Sequence, residues 1–185
     1  MTRILGLNPE NLTSQQKTVY NKIVSGPRGK VSGPLAVWLR RPILADKAQS
    51  LGKYCRFDSS LHRRQSELAI LVTAQIWSAE YEWEAHVVDA RKAGVENKII
   101  EAIKNGQEPI FDKIDEAVIY RLTRQLNLER EISDSIFVEA EKVLGQGKLI
   151  DLIGLLGYYS LISMTINAFK IKPDYSCVKK QNKDS

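Results

Sequence analysis

The chain has 185 residues, enough to bury a real core yet few enough for one domain. Hydrophobic residues make up 43% and charged residues 26%, which excludes disorder, and only 11 Gly and 6 Pro among abundant helix formers point to an all-α fold. Met1 to Arg64 carry 12 Lys and Arg against 3 acidic residues, but these lie singly or in pairs without interleaved aromatics, which argues against a nucleic-acid partner.

In chain order, Thr13 and Gln16 form a capping-box pattern that opens a helix towards Val24. The stretch SGPRGKVSGP (25–34) follows. It lacks the G-K-[ST] ending and preceding strand of a phosphate loop, so it reads as a connector, with Arg28 free to face a ligand. Helices are expected around Pro34–Leu39 and Ile43–Tyr54. Another begins after Ser60, a natural N-cap, with Leu61, Leu68, Leu71 and Ile76 on one face. The pattern resumes through Tyr81, Ala85, Val88 and Lys92 and ends at Gly94, a C′ residue. Helices are also expected over 96–104, 112–126 and 134–144, the last capped by Ser133. The apolar run 149–169 is long enough to cross a membrane. Asp151, Ser160, Ser163, Thr165 and Asn167 within it favour a helix buried in the core or between subunits, so no membrane partner is expected. Residues 1–172 are read as one domain and 173–185 as a polar tail.

Cys55 and Cys177 are 122 residues apart, which excludes C-x-x-C chemistry and points to a reducing, cytoplasmic setting. No charged-then-apolar run follows Met1, so no secretory leader is expected. The densest chemistry is SAEYEWEAH (78–86), where Glu82 and His86 are four residues apart and share a helical face. Glu80 and Glu84 fall on other faces and read as surface charges. His62 reads as exposed. Tyr158 and Tyr159 read as core or interface residues.

The segment RRQSELAILVTAQIWSAEYEWEAHVVDARKAGVENKIIEAI (63–103) resembles the core of the carboxymuconolactone decarboxylase family, which includes the alkyl hydroperoxidase D-like proteins. SELAIL, YEW-x-x-H and ARKAGV carry the match, and the likeness extends from GPRGKVSGPLAVWL to GLLGYYSLISMTINAF. The resemblance implies a single-domain helical fold with a central antiparallel hairpin, assembled as a homo-oligomer, a trimer or hexamer with its site near a subunit interface. It implies no metal or organic cofactor. In the peroxidase branch a Glu, a C-x-x-C pair and a His form a thiol relay. Here Glu67 and His86 stand at its ends, while Ala79 and Glu82 stand where the cysteines would be. A thiolate is the nucleophile in that chemistry, so peroxidase activity is disfavoured.

The resemblance instead favours a cofactor-free, decarboxylase-like enzyme on a small carboxylated or lactone-like substrate. Glu67, Glu82 and His86 would be catalytic; Tyr81, Arg28 and Arg64 would bind substrate, with Arg40 a further candidate anchor. Glu67 departs from the decarboxylase pattern. The other readings are an alkyl hydroperoxidase-type antioxidant and a non-catalytic helical oligomer. One geometric condition follows. On a straight helix, Glu67 and His86 would stand about 28 Å apart, so a shared site requires a break near Trp77–Ser78, with Ser78 as N-cap.

Overall fold

A computed structural model describes residues 2–4 and 6–173; most of the expected tail, with Cys177, lies outside the described residues. The order is α1 (Ser14–Ser25), α2 (Pro34–Trp38), α3 (Pro42–Lys53), a π-helical turn (Tyr54–Asp58), α4 (Arg63–Ile76), α5 (Glu80–Lys92), α6 (Asn97–Lys104), α7 (Ile114–Glu129) and α8 (Asp134–Phe169). A short 3₁₀ turn at Pro9–Asn11 precedes α1.

The capping box expected at Thr13 and Gln16 is complete: each residue's side chain accepts from the other's backbone N–H. Ser133 caps α8 through the Ile136 N–H. Ser60 does not cap α4. Its backbone N–H and hydroxyl both donate to Asp151 on α8, and α4 starts three residues later. There the His62 N–H donates to Gln65 Oε1. The expected helices 134–144 and 149–169 form one element, kinked at Gly145 (φ 76°, ψ 160°).

The core is an α4–α5 hairpin wrapped by α7 and α8. Leu68 to Leu71 are fully buried, so α4 is covered on every side. The hairpin turns where the shared site requires, by a route other than the expected cap. Ser78 adopts φ 51° and donates its N–H to the Gln75 carbonyl, and the Ala79 N–H reaches the Ala74 carbonyl. This pairing is a Schellman stop, with Ser78 at the C′ position glycine usually fills. The N-cap of α5 is Ala79, which offers no side-chain cap. Trp77 anchors the turn: its indole N–H donates to Asn127 on α7, and its carbonyl accepts from Asn167 on α8.

The buried face of α5 also differs from the expected one. Glu82, His86, Val87 and Ala90 point inward, while Ala85 and Val88 are exposed and Tyr81 is half-buried. The two polar residues of the Glu–His pair hold core positions, so apolar periodicity alone picks a face one position away. Gly94 (φ 92°) ends α5 as expected, with the Val95 N–H bonding back to the Ala90 carbonyl.

By length and composition α8 could cross a membrane, but 61% of its most apolar window is buried against the rest of the chain. Its inner face carries Leu152, Leu155, Leu156, Tyr158, Tyr159 and Ile162 into the core.

Candidate active site

Three elements converge on one buried cluster. The hairpin brings Glu67 of α4 against His86 of α5, with Nδ1 and Oε2 separated by 2.6 Å. One helical turn before His86, Glu82 places Oε1 2.9 Å from Nε2. Glu67, Glu82 and His86 are 1%, 4% and 3% exposed. A buried imidazole thus lies between two buried carboxylates, one on each ring nitrogen. Because those nitrogens point in opposite directions, the three residues cannot chelate a single ion together.

Burial alone would lower the His86 pKa. The Glu82 charge, with the hydrogen bonds from Glu67 and Glu82, outweighs it and leaves the pKa raised. With a carboxylate oxygen on each ring nitrogen, the geometry suits an imidazolium that donates Nδ1–H to Glu67 and Nε2–H to Glu82. Glu67 is further fixed by Arg63, one turn before it on α4, whose Nε stands 2.9 Å from Oε1. Arg56 lies 3.8 Å from the same oxygen. Asp89 holds both arginines, at 3.2 Å from Arg56 and 2.9 Å from Arg63.

Arg56 reaches the cluster because the chain leaves α3 through the π turn, where the Ser59 N–H bonds the Tyr54 carbonyl five residues back. Such single turns often occur at functional sites. A second tie holds the turn to α8: the Tyr54 hydroxyl donates to Asp151 at 2.6 Å.

The cluster opens on a cavity of about 360 Å³. Glu82, His86 and Asp89 line it from α5, Arg56 and Phe57 from the π turn, Arg63 from α4 and Tyr159 from α8. The 26–33 loop and the start of α2 close the other side with Arg28, Lys30, Ser32 and Leu35. Glu67 stands behind His86 and is not part of the wall. Four cations against two carboxylates favour an anionic guest.

Two glycines shape this wall. A Cβ on Gly33 (φ 56°) would meet the Tyr81 ring at 2.6 Å, and one on Gly52 would meet the Tyr158 hydroxyl at 2.2 Å. Gly52 thereby leaves room for Arg28, whose Nη2 donates to the Tyr158 hydroxyl at 3.4 Å. Burial pushes that hydroxyl to about 12, so it stays protonated.

The expected binding residues divide. Tyr81 and Arg28 line the cavity, but Arg64 does not. Neighbouring positions on a helix point about 100° apart, and Arg64 faces α7, where its guanidinium is bound to Glu116 and Asp115. Arg40 also lies outside the wall. Glu80, Glu84 and His62 are exposed, as expected.

Arg56, Arg63, Asp89 and Tyr159 were not among the expected site residues. Arg63 and Asp89 had a readable signal, at i−4 from Glu67 and i+3 from His86. Arg56 depends on a π turn with no periodic signature. Tyr159 is 73 residues from His86, and its edge-on packing against the imidazole (centroids 5.3 Å apart) is purely tertiary.

Residues 42–118 match the model of the carboxymuconolactone decarboxylase family. The match is carried by this segment of the chain. It holds Arg56, Arg63, Glu67, Glu82, His86 and Asp89, whereas Arg28 and Tyr159 come from outside it. No curated protein matches the chain.

Solved structures extend the likeness to the whole fold. An uncharacterized peroxidase-related protein from Ralstonia eutropha JMP134, with an alkylhydroperoxidase AhpD core, superposes with a TM-score of 0.76 at 13% identity, over 97% of this chain and 98% of the other. An uncharacterized peroxidase-related protein from Silicibacter sp. TM1040 gives 0.75 at 14% identity, over 94% and 92%. A cysteine-to-alanine variant of the debrominase Bmp8, in complex with 2,3,4-tribromopyrrole, gives 0.75 at 12% identity, also over 94% and 92%. At these identities the likeness concerns the fold: an all-helical, AhpD-like architecture.

Proposed function

We propose that this protein is a cofactor-free acid–base enzyme of decarboxylase or lyase type, acting on a small carboxylated or lactone-like substrate. The observation that carries this reading is the imidazole held between two buried carboxylates, one of which, Glu82, faces a cavity with cations in its wall. The Nε2–H···Oε1 contact is a proton track: a proton resting on His86 can pass to Glu82 and on to the substrate, or return. Glu67 does not touch the cavity. It holds the imidazole in one orientation and favours its protonated form.

In a decarboxylation the carbon–carbon bond to the departing carboxylate breaks, and its electron pair moves onto the neighbouring carbonyl as an enolate. Carbon dioxide leaves, and the Glu82–His86 pair returns a proton to carbon. No electron acceptor is required. Arg28 and Lys30 suit the carboxylates that remain.

The thiol reading lacks a comparable observation. Positions 79 and 82 are Ala and Glu, and no cysteine lines the cavity among the described residues. Cys55 is 1% exposed, and burial raises its thiol pKa, which disfavours a thiolate. An open cavity likewise argues against a scaffold whose site has been filled in.

The test is a thermal-shift screen with carboxylated lactones on the wild type, Glu82→Gln and His86→Ala, paired with an assay for released carbon dioxide. The wild type is expected to be stabilised and to turn over a ligand. Glu82→Gln should still bind that ligand but lose about 10²- to 10⁴-fold in rate, the usual contribution of a general acid or base. Equal shifts in all three proteins, or none in any, would remove the support for this reading.

A further inference from the structure

Tyr159 takes no part in the proton path, yet its hydroxyl sits 3.3 Å from His86 Nε2, inside the cavity wall and 1% exposed. Glu82 Oε1, an acceptor 2.9 Å from the same nitrogen, marks Nε2–H as a donor, so the tyrosine oxygen can only accept from it. That leaves the tyrosine O–H without an acceptor among the described residues. Burial holds this hydroxyl well above the ordinary tyrosine range, against the opposing charge of Arg56, so the proton stays on oxygen.

Arg56 shows the same condition. Its Nη2 is engaged with Asp89, but its buried Nε–H has no partner. A buried donor without an acceptor is costly, and the residues walling this cavity carry three: the Tyr159 O–H and Arg56 Nε–H beside the proton carrier, and Arg28 Nε–H on the loop side.

We propose that Tyr159 and Arg56 form an oxyanion site, which receives the enolate or phenolate oxygen of a small planar ligand next to Glu82. Donors that hold no partner beforehand can turn to a developing negative charge without breaking another hydrogen bond. The Tyr159 ring is fixed edge-on between His86 and Tyr158 (centroids 5.4 Å apart in the second pair), so its hydroxyl is held in place. The chemistry rests on the acid–base reading, but the test does not, because it measures oxyanion binding without turnover.

The probe is 4-nitrophenol, titrated below its own pKa and followed by the phenolate absorbance band. 4-Nitroanisole, which has the same ring but no ionisable oxygen, is the control. The wild type is expected to bind the phenolate in preference to the phenol and so to lower the probe's apparent pKa. Tyr159→Phe should weaken phenolate binding about ten- to a hundredfold and leave nitroanisole binding unchanged. Arg56→Lys keeps the charge but loses the Nε–H donor, and should give a smaller loss in the same direction. Glu82→Gln removes the adjacent negative charge and should tighten phenolate binding even though it slows turnover. Urea midpoints for each variant identify any that fail to fold.

Absence of phenolate preference in the wild type overturns the proposal. So does an equal loss of phenolate and nitroanisole binding in Tyr159→Phe, which would make the tyrosine a shape element only. If phenolate capture fails while Glu82→Gln still slows lactone turnover as expected, the oxyanion site falls and the acid–base reading stands. If capture succeeds but no carboxylated lactone is turned over, the reverse holds.

Discussion

At the residue scale, the molecule's least ordinary feature is where its second histidine resides. An imidazole between Glu67 and Glu82 is worth more protonated than neutral, which links folding to pH. The His86 pKa is raised in the folded state, so its contribution to stability is fully present below the unfolded value of about 6.5 and is lost as pH rises through the folded value. Urea midpoints measured across that window should therefore fall with rising pH in the wild type. In Glu82→Gln, which removes the largest upward influence, the fall should be smaller and end closer to 6.5. Identical profiles in the two proteins would mean that His86 is neutral in the fold. Glu67→Gln tests the other ring nitrogen. Gln keeps an acceptor for Nδ1–H but removes the charge, so the imidazolium is less favoured. If the protonated histidine is the working form, the alkaline edge of the pH–rate profile should move to lower pH. A purely structural role for Glu67 would lower the rate at every pH alike.

At the element scale, the site depends on a helix stop at Ser78, because Glu67 and His86 meet only if the chain reverses there. Ser78 pays the usual strain of an L residue at positive φ, about 1–2 kcal/mol. Ser78→Gly removes that strain at an unfolded-state entropy cost of about 0.5–1 kcal/mol, so stability should be unchanged or up to about 1.5 kcal/mol higher, with ligand binding retained. Ser78→Val, β-branched at φ 51°, should be destabilising by about 1–2 kcal/mol, with a melting temperature about 2–8 °C lower at this chain length. Thermal unfolding of both variants checks the pair. The turn's necessity was legible in the sequence, since one straight helix cannot bring Glu67 to His86. Its mechanism was not, because serine at 78 advertises an N-cap while the backbone uses it as a C′ residue. The inward face of α5 was misread for a related reason: apolar periodicity marks the core only where core residues are apolar, and here Glu82 and His86 hold those positions. Arg64 was expected at the site and Arg63 was not; which of two sequence neighbours faces a cavity is set by helix phase, known only from the fold. Arg56 and Tyr159 were beyond reach, one delivered by a π turn and the other by the packing of α8 across the hairpin.

At the scale of the whole molecule, the outer face of α8 has no explanation within a single chain. Ile150, Ile153, Leu161 and Met164 are 71%, 39%, 40% and 50% exposed, and their spacing places them on one side of the helix with Gly154 and Gly157. A Cβ added at either glycine would meet nothing within 4 Å. Glycine in an exposed helix interior costs about 1 kcal/mol relative to alanine, and nothing on this face of the isolated chain repays it. Close approach of a second helix would, since a glycine lets another backbone come near while the flanking isoleucines, leucine and methionine lose their contact with water. The expected outcome is a homo-oligomer whose subunits meet along this stripe. Gly157→Leu separates the alternatives. If the face is free, the substitution supplies a better helix former, raising stability by up to about 1 kcal/mol without changing the mass in solution. If the face is buried between copies, leucine blocks the approach and the mass measured by light scattering should fall towards that of one chain. Leu161→Glu combined with Met164→Glu should do the same by placing charge in an apolar contact. An assembly stable without detergent would also assign the apolar length of α8 to subunit contact rather than to lipid.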